Sequence, residues 1–450
     1  MHAKLLCSIV KWLLVGILMA GCAPHRLYRT NPELCTSSNP EQDCQEYFLQ
    51  EYTPAEIDES YLLGFIEFDD QGQLHWRGQM NSVLDKIGEA AASQDLLMIA
   101  FVHGWKHSAA PMDGNIETLR HNLRALSALE SELSRREGRA ERKVVGVYLG
   151  WRGGSITLPV VKELTFWDRK NTAHKVGYGG VIEVLAKLEE IKKIKASIDA
   201  PDRMTRLVVI GHSFGGAVVY SALAQIMMNR FATTQGPVGL ATTVEGFGDL
   251  VVLVNPAFEA LRFSTLSDVA NERRSYFQAQ LPVMAVLTSE ADDATKRAFP
   301  LGRFFSTVFE KHREVQRENG VTKQDETIGQ KRANITALGH FEPYKTHTLR
   351  HTQNPDSKTG LELYVEASQS WENDKPGSVI RFDGSVLERT PNSVGRNPYL
   401  VIRVDKALIR DHNHIDDPKV TSFIRQLILI ASQSRNPEQR KELRSRTSGK

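Results

Sequence analysis

The sequence has 450 residues, of which 41% are hydrophobic and 8% are aromatic. A chain of this size and composition can bury a large core, in one big domain or two smaller ones, and is not expected to be disordered. The charged residues, 24% of the total, sum to a formal net charge of only +2. That charge is too small to indicate a nucleic-acid partner or a polyanionic one.

The N-terminus has the features of an export signal. A short basic lead precedes the apolar run 12–20, which is too short to span a bilayer. The sequence Leu18-Met-Ala-Gly-Cys22 resembles the lipobox of bacterial lipoprotein precursors. The resemblance implies that residues 1–21 are removed as a signal peptide and that Cys22 carries the lipid that attaches the protein to a membrane. An ordinary cleaved signal with a chance cysteine is the alternative.

The same resemblance bears on the compartment of the cell. Ala23 follows the cysteine, where many Gram-negative lipoproteins that stay in the inner membrane have aspartate. The expected location is therefore the cell envelope, with the outer membrane favoured. Export leaves Cys35 and Cys44 as a possible disulfide in an oxidising compartment, with two free thiols as the alternative. The cysteines do not have the spacing of a metal site.

The segments that flank the main body have unusual compositions. Residues 22–59 are polar and contain several prolines, which predicts a tether between membrane and folded domain. Residues 433–450 are rich in arginine and lysine and poor in apolar residues, which predicts a basic disordered tail.

Residues 60–432 have the pattern of one α/β domain. Short apolar runs alternate with helical stretches, which is typical of a mostly parallel sheet with helices on both faces. The predicted strands are Tyr61–Phe68, Leu96–Val102, Lys143–Trp151, 206–210, 249–254, 282–288 and Tyr399–Val404. The predicted helices are 116–136, 181–198, 215–229 and 418–432. Residues 298–397 break this rhythm and predict an irregular insertion or a lid, with plain surface loops as the alternative.

One motif points to chemistry. Gly211-His-Ser-Phe-Gly215 matches the pattern Gly-x-Ser-x-Gly of a nucleophile elbow. A buried-strand sequence precedes it and a helix-compatible sequence follows it, which is the strand-turn-helix setting that the motif requires. The helix N-terminus would favour a negative charge that develops beside the serine. Ser213 is therefore the predicted nucleophile, and a structural turn serine is the alternative.

On these residues the chain resembles the serine esterases and lipases of the α/β-hydrolase superfamily, over about 96–295 and 399–432. The resemblance implies an α/β-hydrolase fold and an acyl-enzyme on Ser213, with no metal and no cofactor. His103-Gly-Trp105 ends a strand and is similar to the oxyanion loop of many lipases. The backbone amides of Trp105 and Phe214 are the candidate oxyanion donors. A plain turn at residues 103–104 is the alternative.

The resemblance also implies the order of the remaining catalytic residues. The acid is expected after a late strand, where Asp292 is preferred to its neighbour Asp293. The histidine is expected after the last strand, where His412 is preferred to His414. In this arrangement the acid orients the histidine, and the histidine removes the proton of Ser213. A metal site on the two histidines is a minor alternative, since no cysteine lies nearby.

The predicted function is therefore hydrolysis of carboxylic esters at a membrane, with a small-molecule or lipid ester as substrate and no nucleic acid as partner. The same fold also carries acyltransferases, peptidases and lyases, so the fold alone does not decide the reaction. A non-catalytic envelope lipoprotein that binds a partner is the other class of function. The sequence leaves the ester, its acyl chain length and the oligomeric state open.

Overall fold

A computed structural model gives the fold of the protein. It describes residues 26–54, 59–154, 166–198, 204–234, 242–300, 303, 307, 310–352, 358, 360–374, 378–434 and 436–448. The predicted signal peptide 1–21 and Cys22 lie outside these ranges. Within them, no helix combines the length and the apolar character that a bilayer crossing needs.

The chain forms strands and helices in alternation over most of its length. The strands are β1 (Asn31–Ser37), β2 (Tyr47–Tyr52), β3 (Tyr61–Phe68), β4 (Leu96–Val102), β5 (Lys143–Trp151), β6 (Arg206–His212), β7 (Leu250–Val254), β8 (Met284–Ser289), β9 (Glu314–Glu318), β10 (Asp325–Gly329), β11 (His347–His351), β12 (Val379–Phe382), β13 (Ser385–Arg389) and β14 (Tyr399–Val404). The helices are α1 (Pro40–Asp43), α2 (Arg77–Ser93), α3 (Gly114–Glu137), α4 (Phe166–Tyr178), α5 (Gly180–Ile198), α6 (Phe214–Thr233), α7 (Ser264–Glu272), α8 (Gln330–Ile335), α9 (Gly360–Glu372), α10 (Pro418–Ala431) and α11 (Pro437–Ser448).

Twelve strands form one sheet, in the order β1-β2-β3-β5-β4-β6-β7-β8-β14-β11-β13-β12, and β9 and β10 form a separate hairpin. Within the large sheet only the pairs β2–β3, β11–β13 and β12–β13 are antiparallel. Helices pack around the sheet. The predicted fold class, a mostly parallel α/β fold, is confirmed.

The burial of the central strands explains why their sequences are short apolar runs. Every residue of β3, β4, β7 and β8 is buried. A parallel strand that is covered on both faces needs apolar side chains at consecutive positions, which gives short, wholly apolar runs. Because β4, β6, β7, β8 and β14 run in the same direction, their carboxyl ends meet at one edge of the sheet. We call this the carboxyl edge.

The prediction of a tether over residues 22–59 is wrong for residues 31–52. These residues form β1, α1 and β2, and β2 pairs with β3 of the main sheet. A disulfide joins Cys35 to Cys44. The polar composition misled because β1 is an edge strand on which no residue is fully buried, whereas β2 buries its apolar side chains.

The residues that precede β1 are also held against the domain. The backbone N–H of Arg29 donates to Oε1 of Glu67 over 2.8 Å, and its Nε donates to the carbonyl of Ala109 over 2.9 Å. Arg29 is 2% exposed and Glu67 is 3% exposed. Burial raises the pKa of Glu67, and the backbone N–H groups of Tyr28 and Arg29 partly offset that rise.

The prediction of an irregular insertion over 298–397 is wrong for residues 347–389. That stretch contains β11, α9, β12 and β13, and the strands extend the sheet beyond β14. The strands have only four or five residues each and mix polar with apolar residues, so they give no long apolar run. The idea that this region acts as a lid stays a prediction.

The prediction of a disordered tail over 433–450 is wrong for residues 437–448, which form α11. Arg440 is 1% exposed and Arg444 is 6% exposed. Both guanidinium groups pair with Glu372 at the end of α9, at 3.1 and 2.7 Å. Arginine can bury its aliphatic stem while its charged head is paired, so a basic segment can pack without apolar residues.

This packing can be tested on α11. Arg444→Met removes an ion pair to Glu372 and a hydrogen bond to Ser368, so we expect the free energy of unfolding to fall by about 1–3 kcal/mol. Urea unfolding measures the change. Lys441→Met, on the exposed side of the same helix, is the control and should change stability by less than about 0.5 kcal/mol. If both variants change stability by equally small amounts, the prediction of a disordered tail would be supported instead.

Candidate active site

The turn that carries Ser213 has an unusual backbone conformation. Ser213 lies between β6 and α6 with φ 56° and ψ −119°, a region that residues other than glycine rarely occupy. The turn is fixed from both sides. The N–H of Ser213 donates to the carbonyl of Val254 over 2.9 Å, and its carbonyl accepts from the N–H of Ala257 over 3.1 Å. The predicted strand-turn-helix setting is therefore present around this serine.

The two glycines of the motif are required by close backbone contacts. A Cβ at Gly211 would lie 2.6 Å from the carbonyl oxygen of Gly215. A Cβ at Gly215 would lie 2.6 Å from the carbonyl oxygen of His103, at the end of β4. Both distances are shorter than real Cβ contacts. The motif thus lets the turn close on itself and pack against the neighbouring strand.

The structure brings together the three residues that the sequence predicted as nucleophile, base and acid. The Ser213 Oγ lies 2.6 Å from Nε2 of His412. Nδ1 of the same ring lies 2.9 Å from Oδ1 of Asp292. The three residues come from the loops after β6, β8 and β14, which share the carboxyl edge. This is the arrangement of a nucleophile, a general base and an orienting acid.

The charge of Asp292 fits its place beside the imidazole. Its side chain is fully buried. Burial by itself raises the pKa of this carboxyl, but hydrogen bonds from His412 and Thr295 outweigh burial, so the pKa lies below its usual value. An ionised Asp292 accepts a hydrogen bond from Nδ1–H of His412, which leaves Nε2 unprotonated and able to accept the proton of Ser213.

The alternative residues lie elsewhere on the same loops. Asp293 is exposed and pairs with Arg297 at 3.1 Å. The ring of His414 is 64% exposed and pairs with Asp411. The contacts of these side chains are with their own loops, so the geometry favours Asp292 and His412.

Two supporting residues were not predicted. Asn255 follows β7 with a positive φ of 45°, and its Nδ2 donates to the carbonyl of His412 over 3.0 Å. Its Oδ1 accepts from the N–H of Ser289 over 3.0 Å. The hydroxyl of Ser289 in turn donates to the carbonyl of Ile409 over 2.6 Å. Asn255 thus fixes the histidine loop, and its position directly after a buried strand was the available signal.

Two further histidines lie beside the site, and their imidazole rings are neutral. Burial lowers the pKa of His212 to about 3, and its Nε2–H donates to the carbonyl of His412 over 3.0 Å. Burial lowers the pKa of His340 to about 4. Its Nε2 lies 3.0 Å from the hydroxyl of Thr295, which also contacts Asp292. Both rings therefore act as fixed hydrogen-bond partners near neutral pH.

The loop after β4 lies directly against the serine. A Cβ on Gly104 would lie 2.8 Å from Cβ of Ser213. Burial lowers the pKa of His103 to about 4. Its ring is held by Nδ1 at 2.9 Å from the carbonyl of Gly104 and by the N–H of Trp151, which donates to Nε2 over 2.9 Å. The structure thus places residues 103–104 beside the reaction centre. The role of the Trp105 amide in oxyanion binding stays a prediction. Phe214 is the first residue of α6, and the role of its amide stays a prediction too.

The centre is nearly enclosed by the described residues. Ser213 is 2% exposed, whereas the ring of His412 is 15% exposed.

A narrow apolar cavity of about 60 Å³ lies between α3 and α10, and its lining includes Ile210, Val254 and Ile415. A larger cavity of about 480 Å³ lies away from Ser213, beside the β9–β10 hairpin. Among the described residues, no group of three or more His, Cys, Asp or Glu is arranged to hold a metal ion.

Comparisons with known proteins add little. No protein family and no curated protein matches the chain. Among solved structures, phospholipase PlaB from Legionella pneumophila in complex with thio-NAD is 13% identical, with a TM-score of 0.25. The match covers 78% of this chain and 62% of that one, so it spans less than two thirds of that protein. A likeness of this size carries no argument about activity.

The choice between the two aspartates can be tested by serine reactivity. Asp292→Asn leaves the shape of the side chain but favours the wrong imidazole tautomer, so we expect the rate at which Ser213 reacts with a fluorophosphonate to fall by about 10³–10⁴-fold. Asp293→Asn should change the rate by less than about twofold, because exposed side chains tolerate substitution. The reverse pattern would move the acid to Asp293.

Asn255→Gly tests the support of the histidine loop. Glycine keeps the left-handed backbone, but the hydrogen bonds to His412 and Ser289 are lost. We expect the fluorophosphonate reaction to slow by about tenfold, since a small displacement of the base is costly. Arg274→Gly is the control, because Arg274 also has a positive φ and lies on the surface. Equal rates for Asn255→Gly and the unmodified protein would contradict the positioning role.

Proposed function

We propose that the protein is a serine hydrolase that cleaves carboxylic esters through an acyl-enzyme on Ser213. One observation carries this proposal. On a strained turn at a helix N-terminus, the hydroxyl of Ser213 contacts an imidazole that a buried, ionised Asp292 orients. A purely structural serine does not need a left-handed backbone, a histidine on its hydroxyl and a carboxylate on that histidine.

The geometry supports a two-step acyl transfer. Nε2 of His412 removes the proton of Ser213 as Oγ attacks the ester carbonyl, and the resulting oxyanion is stabilised by the amides at the start of α6 and in the loop after β4. The C–O bond to the alcohol then breaks, and the imidazolium gives its proton to the leaving alkoxide. Water, deprotonated by the same imidazole, then attacks the acyl carbonyl. The bond from that carbonyl to Oγ of Ser213 breaks, the imidazolium returns its proton to Oγ, and the acid is released.

We also propose that the protein is attached to the cell envelope, with the outer membrane favoured, through lipid on Cys22. The lipobox-like sequence before Cys22 supports this, and so does the Cys35–Cys44 disulfide, since disulfides persist in oxidising compartments. The substrates are then esters at the envelope, either lipids or small molecules.

Three variants test the proposed chemistry. Ser213→Ala and His412→Ala should each lower kcat for p-nitrophenyl esters by about 10³-fold or more, because base and nucleophile act as a unit. His414→Ala, an exposed histidine on the same loop, is the matched control and should keep more than about half of the activity. A series of acyl chain lengths measures the reach of the acyl site.

The outcomes distinguish the classes of function. Ester turnover that depends on Ser213 supports an esterase. Fluorophosphonate labelling of Ser213 without ester turnover indicates an acyltransferase or a peptidase. If the protein is neither labelled nor active, the hydrolase proposal is wrong, and a binding protein on the same scaffold takes its place.

A further inference from the structure

Only a short stretch of chain separates the proposed lipid anchor from the folded domain. Arg29 is seven residues after Cys22 and is fixed against the domain by Glu67 and Ala109. Seven residues reach at most about 25 Å. A domain of about 400 residues has a diameter of roughly 55 Å. The leash is therefore too short for the protein to present an arbitrary side to the membrane.

The point of attachment lies at the carboxyl edge, near Ser213. Glu67 is in register with Gly150 of β5, and the next strands in the sheet are β4 and β6. Leu149 is in register with Val102, and Val102 with Gly211. Paired residues on the neighbouring strands β3, β5, β4 and β6 therefore form a row across the sheet from Glu67 to His212, which precedes the serine. Three strand spacings along this row amount to about 14 Å.

The same part of the molecule exposes large hydrophobic side chains. Trp76 is 40% exposed and follows the turn after β3, and Met112 is 66% exposed in the loop after β4. Tyr178 is 64% exposed at the end of α4, beside a backbone contact between Gly180 and Gly72 of the β3 turn. We call these three residues the carboxyl-edge patch. Tryptophan and tyrosine are the residues that membrane interfaces favour.

We propose that the carboxyl-edge patch rests on the lipid surface that holds the acyl chains of Cys22. Ser213 then reacts with esters that this membrane presents, and the substrate class is lipid or lipid-linked esters. The proposal rests on the proposed function and on lipid at Cys22. The patch then contacts a bilayer, since the short segment between Cys22 and Arg29 holds the bilayer within reach of this edge.

Depth-dependent quenching tests the orientation without using activity. The full-length protein is produced with its own signal and reconstituted in phosphatidylethanolamine/phosphatidylglycerol vesicles. An environment-sensitive fluorophore is attached to the cysteine of either Met112→Cys or Phe277→Cys. Phe277 is similarly exposed, at 48%, but precedes β8 and so lies toward the opposite edge. Spin-labelled lipids should quench the fluorophore at position 112 at least about threefold more than at position 277, because only interfacial groups contact lipid. Equal quenching, or protein that does not float with the vesicles, would overturn the proposal.

A longer leash provides a second test. A flexible insert of about 15 glycine and serine residues after residue 25 frees the domain to turn, since such linkers behave as random coils. Quenching at position 112 and hydrolysis of a vesicle-embedded ester should both fall, whereas hydrolysis of soluble p-nitrophenyl acetate should not change. If the protein without the insert does not hydrolyse p-nitrophenyl acetate but is still quenched selectively at position 112, only the proposed function is refuted. If that protein hydrolyses p-nitrophenyl acetate but is quenched equally at positions 112 and 277, only the proposed orientation is refuted.

Discussion

The left-handed bend at Ser213 is the constraint on which the site depends. A non-glycine residue in this conformation is costly, so it persists only where neighbouring contacts fix it. Here β7 and the segment after it hold the bend on both sides, through the carbonyl of Val254 and the N–H of Ala257. Gly211 and Gly215 allow the backbone to close around it. This bend directs the hydroxyl toward His412 and places it at the start of α6.

Around this bend, burial keeps three histidines neutral. Burial lowers the pKa values of His103, His212 and His340 to between about 3 and 4. These rings therefore stay neutral and hold loops in place. Among the histidines that the structure describes, only His412 contacts both the serine and an ionised carboxylate.

The sequence predicted those parts of the structure that rest on strong local patterns. The central strands were visible because burial on two faces requires continuous apolar runs, and the motif at Ser213 was visible because its glycines are sterically required. Edge strands such as β1 were missed because solvent on one side permits polar residues. Helix α11 was missed because arginine stems replace apolar side chains against Glu372. Asn255 directly follows a buried strand, but that position does not reveal its contact with a loop more than 150 residues away.

In the proposed mechanism, an acyl group forms a covalent bond to Ser213 during turnover. Acid quenching within the first turnovers of a p-nitrophenyl ester, followed by peptide mass spectrometry, measures this directly. We expect a mass increase equal to the acyl group on the peptide that contains Ser213. Acylation of a different residue, or steady ester turnover with no acylated peptide, would contradict it.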